Sequence, residues 1–558
     1  MRLIFLKEGR RYTDDGLIDS VLFQLDASRV ATEYEWLNRQ FVHELRDAMN
    51  KERHAAVRGE KTHVFHYLGL FDFTDSSGHN LTFFFLPKFL DLKEVDERDE
   101  ETGEVRDDRS WEATQDNLES WEECLDGIKP VVRNSILLAI DRYHKEDSEL
   151  GEETEFAERE RESVLELAIR VLRDYLENGA YIVHRAELEQ SGQGEVDWDA
   201  TIDRCDPLFV DDDPVYTDYF SSRAESDENY YITRLQRSLV TFWGRKLEAL
   251  GLSSVLGVNV PPVSEEDLDL LGEPDYQVAQ IDRELKIQFV TKARETLKLM
   301  KALILRRTET RNTFFENHSF GITGVEHLWE AACAHVLGSE LKESIKDFGL
   351  VWEDDEGIQF DKFMPRIIWE GPEGRREEFD NDKGSQRSKK AGWRLDFIRT
   401  YPPHDVDSKA RAKKLVILDA KYYCAVWRKK TQGWTISGQP GTPDITKQMY
   451  YQMVFKDLQV QNQGLGMVNA FLFPEDDLNW SMEGARDGQN RPTVWKSETV
   501  SWNRTVCAFN DVRLFTVRIP GLRLLERYAR CELANDWFEA IVNFAPNPLG
   551  MESVSMDA

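Results

Sequence analysis

The sequence predicts a multidomain α/β protein, of the α+β kind, that ends in a mixed sheet flanked by helices. At 558 residues the chain is too long for one hydrophobic core. Apolar residues make up 41% of it, which is typical of a folded protein. Along the chain, the spacing of apolar residues changes from short runs to a helical period and then to a pattern that predicts alternating helices and strands. We therefore predict a β-rich N-terminal domain (1–135), a mainly helical middle region (136–310) and a C-terminal domain (311–558).

The N-terminal domain contains a predicted hairpin. Two apolar runs, Val64–Phe73 and Leu81–Phe89, flank the polar turn Asp75–Asn80. An acidic stretch follows at Glu94–Glu123, with 14 acidic residues against 3 basic ones, and a second lies at Glu146–Glu162. We interpret these stretches as a solvated insertion that favours protein docking over DNA binding.

The middle region shows helical spacing of apolar residues. Phe156–Glu177 predicts an amphipathic helix that ends at Asn178-Gly179. Further helices are predicted over 228–251 and 278–307, with a long loop over 190–227.

The C-terminal domain is predicted to alternate helices and strands. Its predicted elements are a helix at Gly324–Val336, strands at Met467–Pro474 and Val512–Ile519, and a closing helix at Gly521–Phe544. The order of these elements favours a mixed sheet covered by helices on both faces.

One stretch of this domain joins an apolar strand to charged residues. Leu415–Leu418 is a continuous apolar run, and it is followed directly by Asp419-Ala420-Lys421. Side chains alternate along a strand, so Asp419 and Lys421 share a face. If a strand over Leu395–Arg399 pairs with this one, Asp396 comes to lie beside Asp419. Neighbouring carboxylates repel each other unless a cation lies between them, and their oxygens suit Mg²⁺ or Mn²⁺.

An isolated Asp-x-Lys triplet also occurs by chance, as a surface ion pair at the end of a strand. The context favours a site, because the segment from Lys383 to Lys456 carries 16 basic residues against 5 acidic ones. The formal net charge of the whole chain is −32. A basic segment on an acidic protein, placed at two carboxylates, indicates a substrate with a phosphate backbone.

Asp396 and Asp419-Ala420-Lys421 resemble the motif of the PD-(D/E)xK nucleases, with Leu395 in the place of the proline. The resemblance implies an Mg²⁺- or Mn²⁺-dependent endodeoxyribonuclease. In it Asp396 and Asp419 would bind the metal, and Lys421 would stabilise charge or orient water.

Two more positions match motifs of this superfamily. Its members often add a glutamate from the preceding helix, which implies Glu330 as a metal ligand and leaves Glu326, one turn earlier, as the competitor. Gln448, followed by Tyr451 and Gln452, resembles the Q-x-x-x-Y motif of RecB-like nucleases. That motif implies a catalytic role for Gln448 through hydrogen bonds to the DNA backbone.

Two N-terminal segments resemble a narrower group. Tyr67–Phe71 followed by Phe84–Lys88 is similar to a hairpin of McrC-type proteins, and Gly194–Ile202 is similar to a segment of LlaJI-type restriction endonucleases. This resemblance implies the nuclease subunit of a restriction (anti-phage defence) system that cuts double-stranded DNA. A hexameric McrB-like AAA+ GTPase would activate it. The sequence has no G-x-x-x-x-G-K-[ST] loop, so a nucleotide-driven step would belong to that partner.

Other classes fit less well. The six cysteines form no CxxC pair or Cys/His cluster, which argues against a zinc site and a disulfide framework. No signal peptide or membrane-spanning run is predicted, so we expect a cytoplasmic protein that does not associate with a membrane. Two alternatives stay open: a stand-alone type II or RecB-like repair nuclease, and a catalytically silent scaffold that stimulates a motor NTPase.

Overall fold

The computed structural model confirms the predicted multidomain α/β class. It describes residues 3–25, 34–51, 55–57, 62–90, 130–146, 163–210, 213–311, 317–352, 357–362, 368–370, 376–378, 395–402, 411–424, 426–429, 434–476, 478, 501–509 and 512–544. Two compact units are present. The middle unit comprises Asp72–Leu81 and Thr154–Phe320, and the terminal unit comprises Arg2–Phe71, Thr82–Glu153 and Gly321–Ala558. The two acidic stretches lie almost wholly outside the described residues.

The strands are short except near the C-terminal end. In chain order they are β1 (Leu3–Lys7), β2 (Arg11–Thr13), β3 (Ala55–Val57), β4 (Thr62–Phe65), β5 (Leu68–Thr74), β6 (Asn80–Leu86), β7 (His184–Gln190), β8 (Glu195–Val196), β9 (Leu208–Val210), β10 (Asp213–Val215), β11 (Phe220–Ser226), β12 (His318–Ile322), β13 (Ile368–Glu370), β14 (Arg376–Glu378), β15 (Phe397–Tyr401), β16 (Lys414–Ala420), β17 (Val426–Lys429), β18 (Trp434–Ser437), β19 (Gly466–Glu475), β20 (Ser501–Phe509) and β21 (Val512–Pro520).

The α-helices concentrate in the middle unit and around the C-terminal sheet. They are α1 (Asp14–Gln24), α2 (Arg39–Lys51), α3 (130–146), α4 (Val164–Asn178), α5 (Trp198–Arg204), α6 (Tyr231–Ala249), α7 (Ser253–Leu256), α8 (Pro274–Ile287), α9 (Thr291–Arg311), α10 (Val325–Val336), α11 (Thr442–Val454), α12 (Lys456–Gln461), α13 (Gly521–Ala529) and α14 (Asn535–Phe544). No helix among the described residues is long and apolar enough to cross a membrane.

A five-stranded mixed sheet forms the core of the terminal unit. Its strand order is β15-β16-β19-β21-β20, with the three central strands parallel and both outer strands antiparallel to their neighbours. The apolar run of β16 is buried on both faces, as its composition predicts. Leu415 and Ile417 pack with Tyr451 and Phe455, on the side of α11 and α12. On the other side Phe397 meets Phe538 of α14. Because both faces of the sheet are packed, each charged residue at the end of β16 is confined to the face on which its side chain lies.

The N-terminal strands include the predicted hairpin, whose turn region Asp72–Leu81 is assigned to the middle unit. β1 lies parallel to β6, with Leu3 opposite Thr82 and Lys7 opposite Leu86. β5 and β6 are neighbours in one sheet, and the backbone N–H of Asp75 donates to the carbonyl of His79 in the turn between them. The first predicted strand is in fact two, because β4 ends at Phe65 and pairs with β2 and β3.

The middle unit differs from the sequence prediction over 190–227. The predicted loop contains a small sheet of β7, β11 and β8 and a hairpin of β9 and β10. The Gly194–Ile202 segment forms β8 and α5, and a Cβ on Gly194 would approach the carbonyl oxygen of Ser222 to 2.5 Å. A side chain there would therefore displace the neighbouring strand.

Three predicted helices have different bounds, two because side chains cap the backbone and one because of a positive φ. α4 begins at Val164 rather than Phe156, since Ser163 and Glu166 form a capping box. The helix predicted over 278–307 is two helices, because the side-chain carbonyl of Gln288 accepts from the N–H groups of residues 289 and 290. The closing helix is also two, separated at Cys531, whose φ is 60°.

Arg399 anchors the strand that follows Asp396. Its side chain is buried, and its guanidinium donates to the Leu337 carbonyl (2.7 Å) and to Asn535 Oδ1 (2.9 Å). The same group lies 4.3 Å from the Phe538 ring centroid. Because Leu337 follows α10 and Asn535 begins α14, one buried cation ties β15 to both helices.

We expect Arg399→Met to destabilise the terminal unit by roughly 3 kcal/mol, because two acceptors lose a charged donor inside the protein. Thermal unfolding would show this as a fall of several degrees in the midpoint. The control is Arg518→Met, since Arg518 is partly exposed and 3.6 Å from Glu475, and should change stability by less than about 0.5 kcal/mol. Equal midpoints for the two variants would contradict the anchoring role.

Candidate active site

Strand register brings Asp396 and Asp419 together. Phe397 pairs with Leu418 in the antiparallel ladder of β15 and β16. Extending that register by one residue places Asp396 opposite Asp419, where β15 begins and β16 ends. The pairing is the one that the sequence predicts. Asp419 is fully buried, and the Asp396 side chain is 12% exposed, so both carboxylates lie away from bulk water.

Two lysines face this pair of carboxylates. Lys421 Nζ lies 3.1 Å from Asp419 and 4.0 Å from Asp396. Lys447 Nζ, from α11, lies 3.5 Å from Asp396 and 3.7 Å from Asp419. We call Asp396, Asp419, Lys421 and Lys447 the acid–lysine cluster. It contains two formal negative and two formal positive charges, so the buried carboxylates are balanced without any other group.

Sequence reasoning missed Lys447 and its neighbour Asp444. Asp444 lies 3.7 Å from Lys421 Nζ and accepts a hydrogen bond from the Tyr423 hydroxyl at 3.1 Å. Asp444, Lys447 and Tyr451 follow each other at spacings of three and four, which places them on one face of a helix. The signal was therefore present, but only the packing of α11 on the sheet turns that face toward Asp419.

The electrostatics of the cluster follow from burial and from the neighbouring charges. Burial and the adjacent Asp419 raise the pKa of Asp396 to about 8. Burial alone would lower the pKa of Lys421, but Asp419 and Asp396 outweigh it and raise that pKa. The pKa of Lys447 is raised for the same reasons. Both lysines therefore stay charged, while Asp396 holds a proton near neutral pH in the metal-free protein.

Glu330 lies within electrostatic reach of the cluster. It is on α10, and burial raises its pKa, whereas the charges of His327, Lys421 and Lys447 oppose the rise. Its own charge contributes to the raised pKa of Asp396. Glu326, the competing candidate, is exposed, and its charge acts on Glu8. Of the two candidates, Glu330 is therefore the one whose charge interacts with the cluster.

Gln448 is fully buried within α11 and does not open that helix, which begins at Thr442. Its side-chain amide donates to the Ala470 carbonyl at 3.4 Å, and Asn469 donates to its backbone carbonyl. These contacts hold α11 against β19. Tyr451, one turn on, packs in the core beside the sheet. Gln448 thus lies beside Lys447 in sequence but faces the sheet.

The oxygens of the site suit a divalent cation. Asp396 Oδ2, Asp419 Oδ2 and Gln448 Oε1 are buried and accept no hydrogen bond, although the Lys421 ammonium forms an ion pair with Asp419 Oδ2 at 3.1 Å. Hard carboxylate oxygens are the donors that Mg²⁺ and Mn²⁺ prefer. Within the described part of the chain no three His, Cys, Asp or Glu side chains are grouped closely enough to enclose a metal. Asp396 and Asp419 could therefore hold a metal whose other ligands are water and substrate, as is usual for Mg²⁺.

The raised pKa of Asp396 predicts how stability depends on pH without metal. The folded protein holds the proton more tightly than the unfolded chain does, so this stabilisation is full below about pH 4 and is lost as pH rises through about 8. Asp396→Asn removes that dependence. In chelator, we expect the thermal midpoint of the wild type to fall relative to Asp396→Asn across this window. If the thermal midpoints of the wild type and Asp396→Asn change with pH in the same way, Asp396 is ionised throughout this pH range.

Comparison with known proteins places the chain in a family. A family model described as LlaJI restriction endonuclease matches residues 120–349 and 345–483. These segments contain every residue of the acid–lysine cluster, together with Glu330 and Gln448. A relative described as type II restriction enzyme BsuMI component YdjA, from Bacillus subtilis (strain 168), is 24% identical over 306 residues. The alignment covers 54% of this chain and 55% of that relative, about half of each. Because the family model matches well over half of its length, the chain belongs to the LlaJI restriction endonuclease family.

Proposed function

We propose that the chain is the nuclease subunit of a restriction system that hydrolyses phosphodiester bonds in double-stranded DNA. The observation that carries this proposal is the acid–lysine cluster, in which two buried carboxylates and two lysines meet at the end of a mixed sheet. Membership of a restriction endonuclease family supports it independently. The Asp396 and Asp419-x-Lys421 arrangement supports a PD-(D/E)xK nuclease.

In this proposal the carboxylates hold the catalytic metal. Asp396 and Asp419 bind Mg²⁺ or Mn²⁺ through their buried carboxylate oxygens, and Glu330 on α10 adds negative charge near them without completing the ligand set. When bound, such a metal polarises the scissile phosphate and lowers the pKa of a water molecule. Asp396 would give up its proton in the metal-bound protein, because a divalent cation would offset the repulsion from Asp419.

The lysines supply charge for the phosphate. The Lys421 side chain is 13% exposed and that of Lys447 is 27% exposed, so both keep some contact with solvent beside the buried carboxylates. Each can donate to a non-bridging oxygen as negative charge develops on the phosphate, which is worth most in a site with little water. Gln448 positions Lys447, because its side chain fixes α11 on β19.

A partner would activate the chain, and an exposed hairpin is the surface we assign to it. Phe209 is 71% exposed, and Leu208 and Val210 are each 57% exposed, on β9 of the middle unit. An isolated two-stranded hairpin is only marginally stable in water, and apolar side chains on it favour docking. Acidic residues surround the hairpin in sequence, at 203, 206, 211, 212, 213 and 218. The partner surface would therefore be an apolar pocket with a basic rim, and a McrB-like AAA+ GTPase is the partner that we propose.

One observation favours a second candidate. The Bacillus relative is described as a component of a type II restriction enzyme. A nuclease subunit that works with other subunits but without GTP would fit that description. Plasmid cleavage with Mg²⁺ or Mn²⁺, by the chain alone and then with the AAA+ partner and GTP, distinguishes the two. Cleavage without GTP would favour the second candidate, and no cleavage under either condition would favour a silent scaffold.

We expect Asp419→Ala to lower plasmid cleavage by at least about a hundredfold, because it removes a metal ligand rather than a packing group. Thermal unfolding in chelator should show the fold intact. The matched control is Asp457→Ala, an exposed carboxylate on α12, which should cleave like the wild type. Wild-type cleavage by pure Asp419→Ala protein would refute the assignment of this site.

Replacing Phe209 with Asp should abolish activation by the partner while leaving metal binding at Asp396 and Asp419 unchanged. A charged side chain at the centre of an apolar contact costs several kcal/mol of binding. Pull-down of the partner and GTP-dependent cleavage would measure the effect. Leu270→Asp is the control, since Leu270 is 78% exposed elsewhere in the middle unit. If both variants bind the partner equally well, docking lies on another surface.

A further inference from the structure

A buried carboxylate outside the acid–lysine cluster contacts the end of the metal-site strand. Glu8 follows β1 and is only 6% exposed. Its Oε2 accepts a hydrogen bond of 2.7 Å from the hydroxyl of Tyr422, which is itself 4% exposed. Both residues belong to the terminal unit. Burying a carboxylate is costly, so a contact of this kind calls for an explanation beyond packing.

Lys88 completes the contact from the end of β6. Its backbone N–H lies 3.2 Å from the Tyr422 hydroxyl and 3.4 Å from Glu8 Oε2, and donates to both. Its ammonium lies 4.2 Å from the centroid of the Tyr422 ring, within cation–π range. Burial raises the pKa of Glu8, and the charge of Lys88 opposes that rise. Glu8 and Lys88 therefore hold Tyr422 at its hydroxyl and across its ring. We call these two residues, together with Phe89, the N-terminal corner.

Aromatic packing joins the same corner to the helix that carries Glu330. The ring centroid of Phe89 lies 6.2 Å from that of Tyr422 and 6.4 Å from that of Trp329. Phe89 is also packed against Gly521, where an added Cβ would come within 2.5 Å of the ring. Tyr422 directly follows Lys421, and Trp329 directly precedes Glu330. Two of the residues that Phe89 contacts, Tyr422 and Trp329, are thus chain neighbours of proposed site residues.

We propose that Glu8 is a positioning residue for the nuclease site, and that its hydrogen bond to Tyr422 sets the direction of Lys421. The inference rests on the proposed function. The β16 ladder ends at Ala420, so beyond it only the Lys421 N–H, which donates to the Leu472 carbonyl, continues the strand pairing. Tyr422 and Lys421 point to opposite faces of this strand end. Clamping Tyr422 on one face therefore fixes the backbone from which Lys421 reaches Asp419 on the other.

The contact also gives the N-terminal strands a route to the nuclease site. Small displacements of a catalytic group lower rates strongly, by about a hundredfold for 1 Å. A shift of the corner formed by Glu8 and Lys88 would move Tyr422 and, through it, Lys421. Glu8 acts through Tyr422 and does not touch substrate or metal.

The test compares Tyr422→Phe, Glu8→Leu and Glu8→Gln in the full-length chain, under conditions in which the wild type cleaves plasmid. Tyr422→Phe removes the hydroxyl but keeps the ring, and Glu8→Gln keeps an oxygen that accepts from Tyr422. We expect Tyr422→Phe and Glu8→Leu to lower kcat by roughly 10- to 100-fold with KM for DNA unchanged. Glu8→Gln should restore most of the rate, and the double variant Glu8→Leu/Tyr422→Phe should be no slower than either single variant.

Tyr12→Phe is the matched control, because Tyr12 is a buried tyrosine of the same strands whose hydroxyl accepts from the Lys7 N–H. It should cleave like the wild type. Wild-type kcat in Tyr422→Phe would overturn the proposal, as would equal loss in Glu8→Gln and Glu8→Leu.

Hydrogen exchange separates failure of this inference from failure of the proposed function. In metal-free protein, Tyr422→Phe should speed exchange of the backbone amides at 421–423, whether or not the chain cleaves DNA. Faster exchange in a protein that never cleaves would leave the clamp standing and refute the nuclease. Unchanged exchange in the variant would refute the clamp.

Discussion

The terminal unit depends on the electrostatic balance between two buried carboxylates and two lysines. Asp396 and Asp419 are brought together by strand register, which leaves neither of them free to turn toward bulk water. Two carboxylates on adjacent strands in a low-dielectric environment repel each other by several kcal/mol unless a cation lies nearby or one of them is protonated. Lys421 and Lys447 provide the cations. The placement of α11 is therefore as important to the site as the strands, because it delivers the second ammonium.

This balance also explains why the site suits a metal. With Asp396 ionised the cluster is neutral, so a bound divalent cation would give it a positive charge that an incoming phosphate would neutralise. Asp396 would release its proton on binding such a cation, because the cation would remove the repulsion that raises its pKa. The protein would thus bind metal and substrate together more readily than either alone.

Much of the C-terminal sheet followed from the sequence, because its signals are local. The apolar run of β16, the Asp-x-Lys that ends it and the alternation of side chains predicted the pairing with β15. Lys447 was not predicted, because the rotation of a helix about its axis is set by tertiary packing, here of Tyr451 and Phe455 on the sheet. The break after α8 depended on one side chain, Gln288, capping its neighbours, which propensity does not reveal.

The small sheet over 190–227 was missed for a different reason. In β7 the apolar residues are only Ala186 and Leu188, so the alternation that marks a half-buried strand is weak. The hairpin of β9 and β10 does contain apolar residues, but their side chains are exposed, so they do not form the buried face from which a strand is predicted. Both patterns are those of a segment whose structure depends on something other than its own core, which agrees with the docking role proposed for it.

A formal net charge of −32 opposes the approach of DNA to this chain. At physiological salt, charges more than about 8 Å from a phosphate are largely screened, so the local balance at the cluster decides contact. Remote acids act instead on the approach, because the long-range field slows the encounter with a polyanion and weakens non-specific binding. Under the proposed function, such a chain would cut DNA that is held in its site while seldom finding DNA unaided. Its activity would then depend on a partner that binds DNA, and that dependence would protect DNA that the partner does not present.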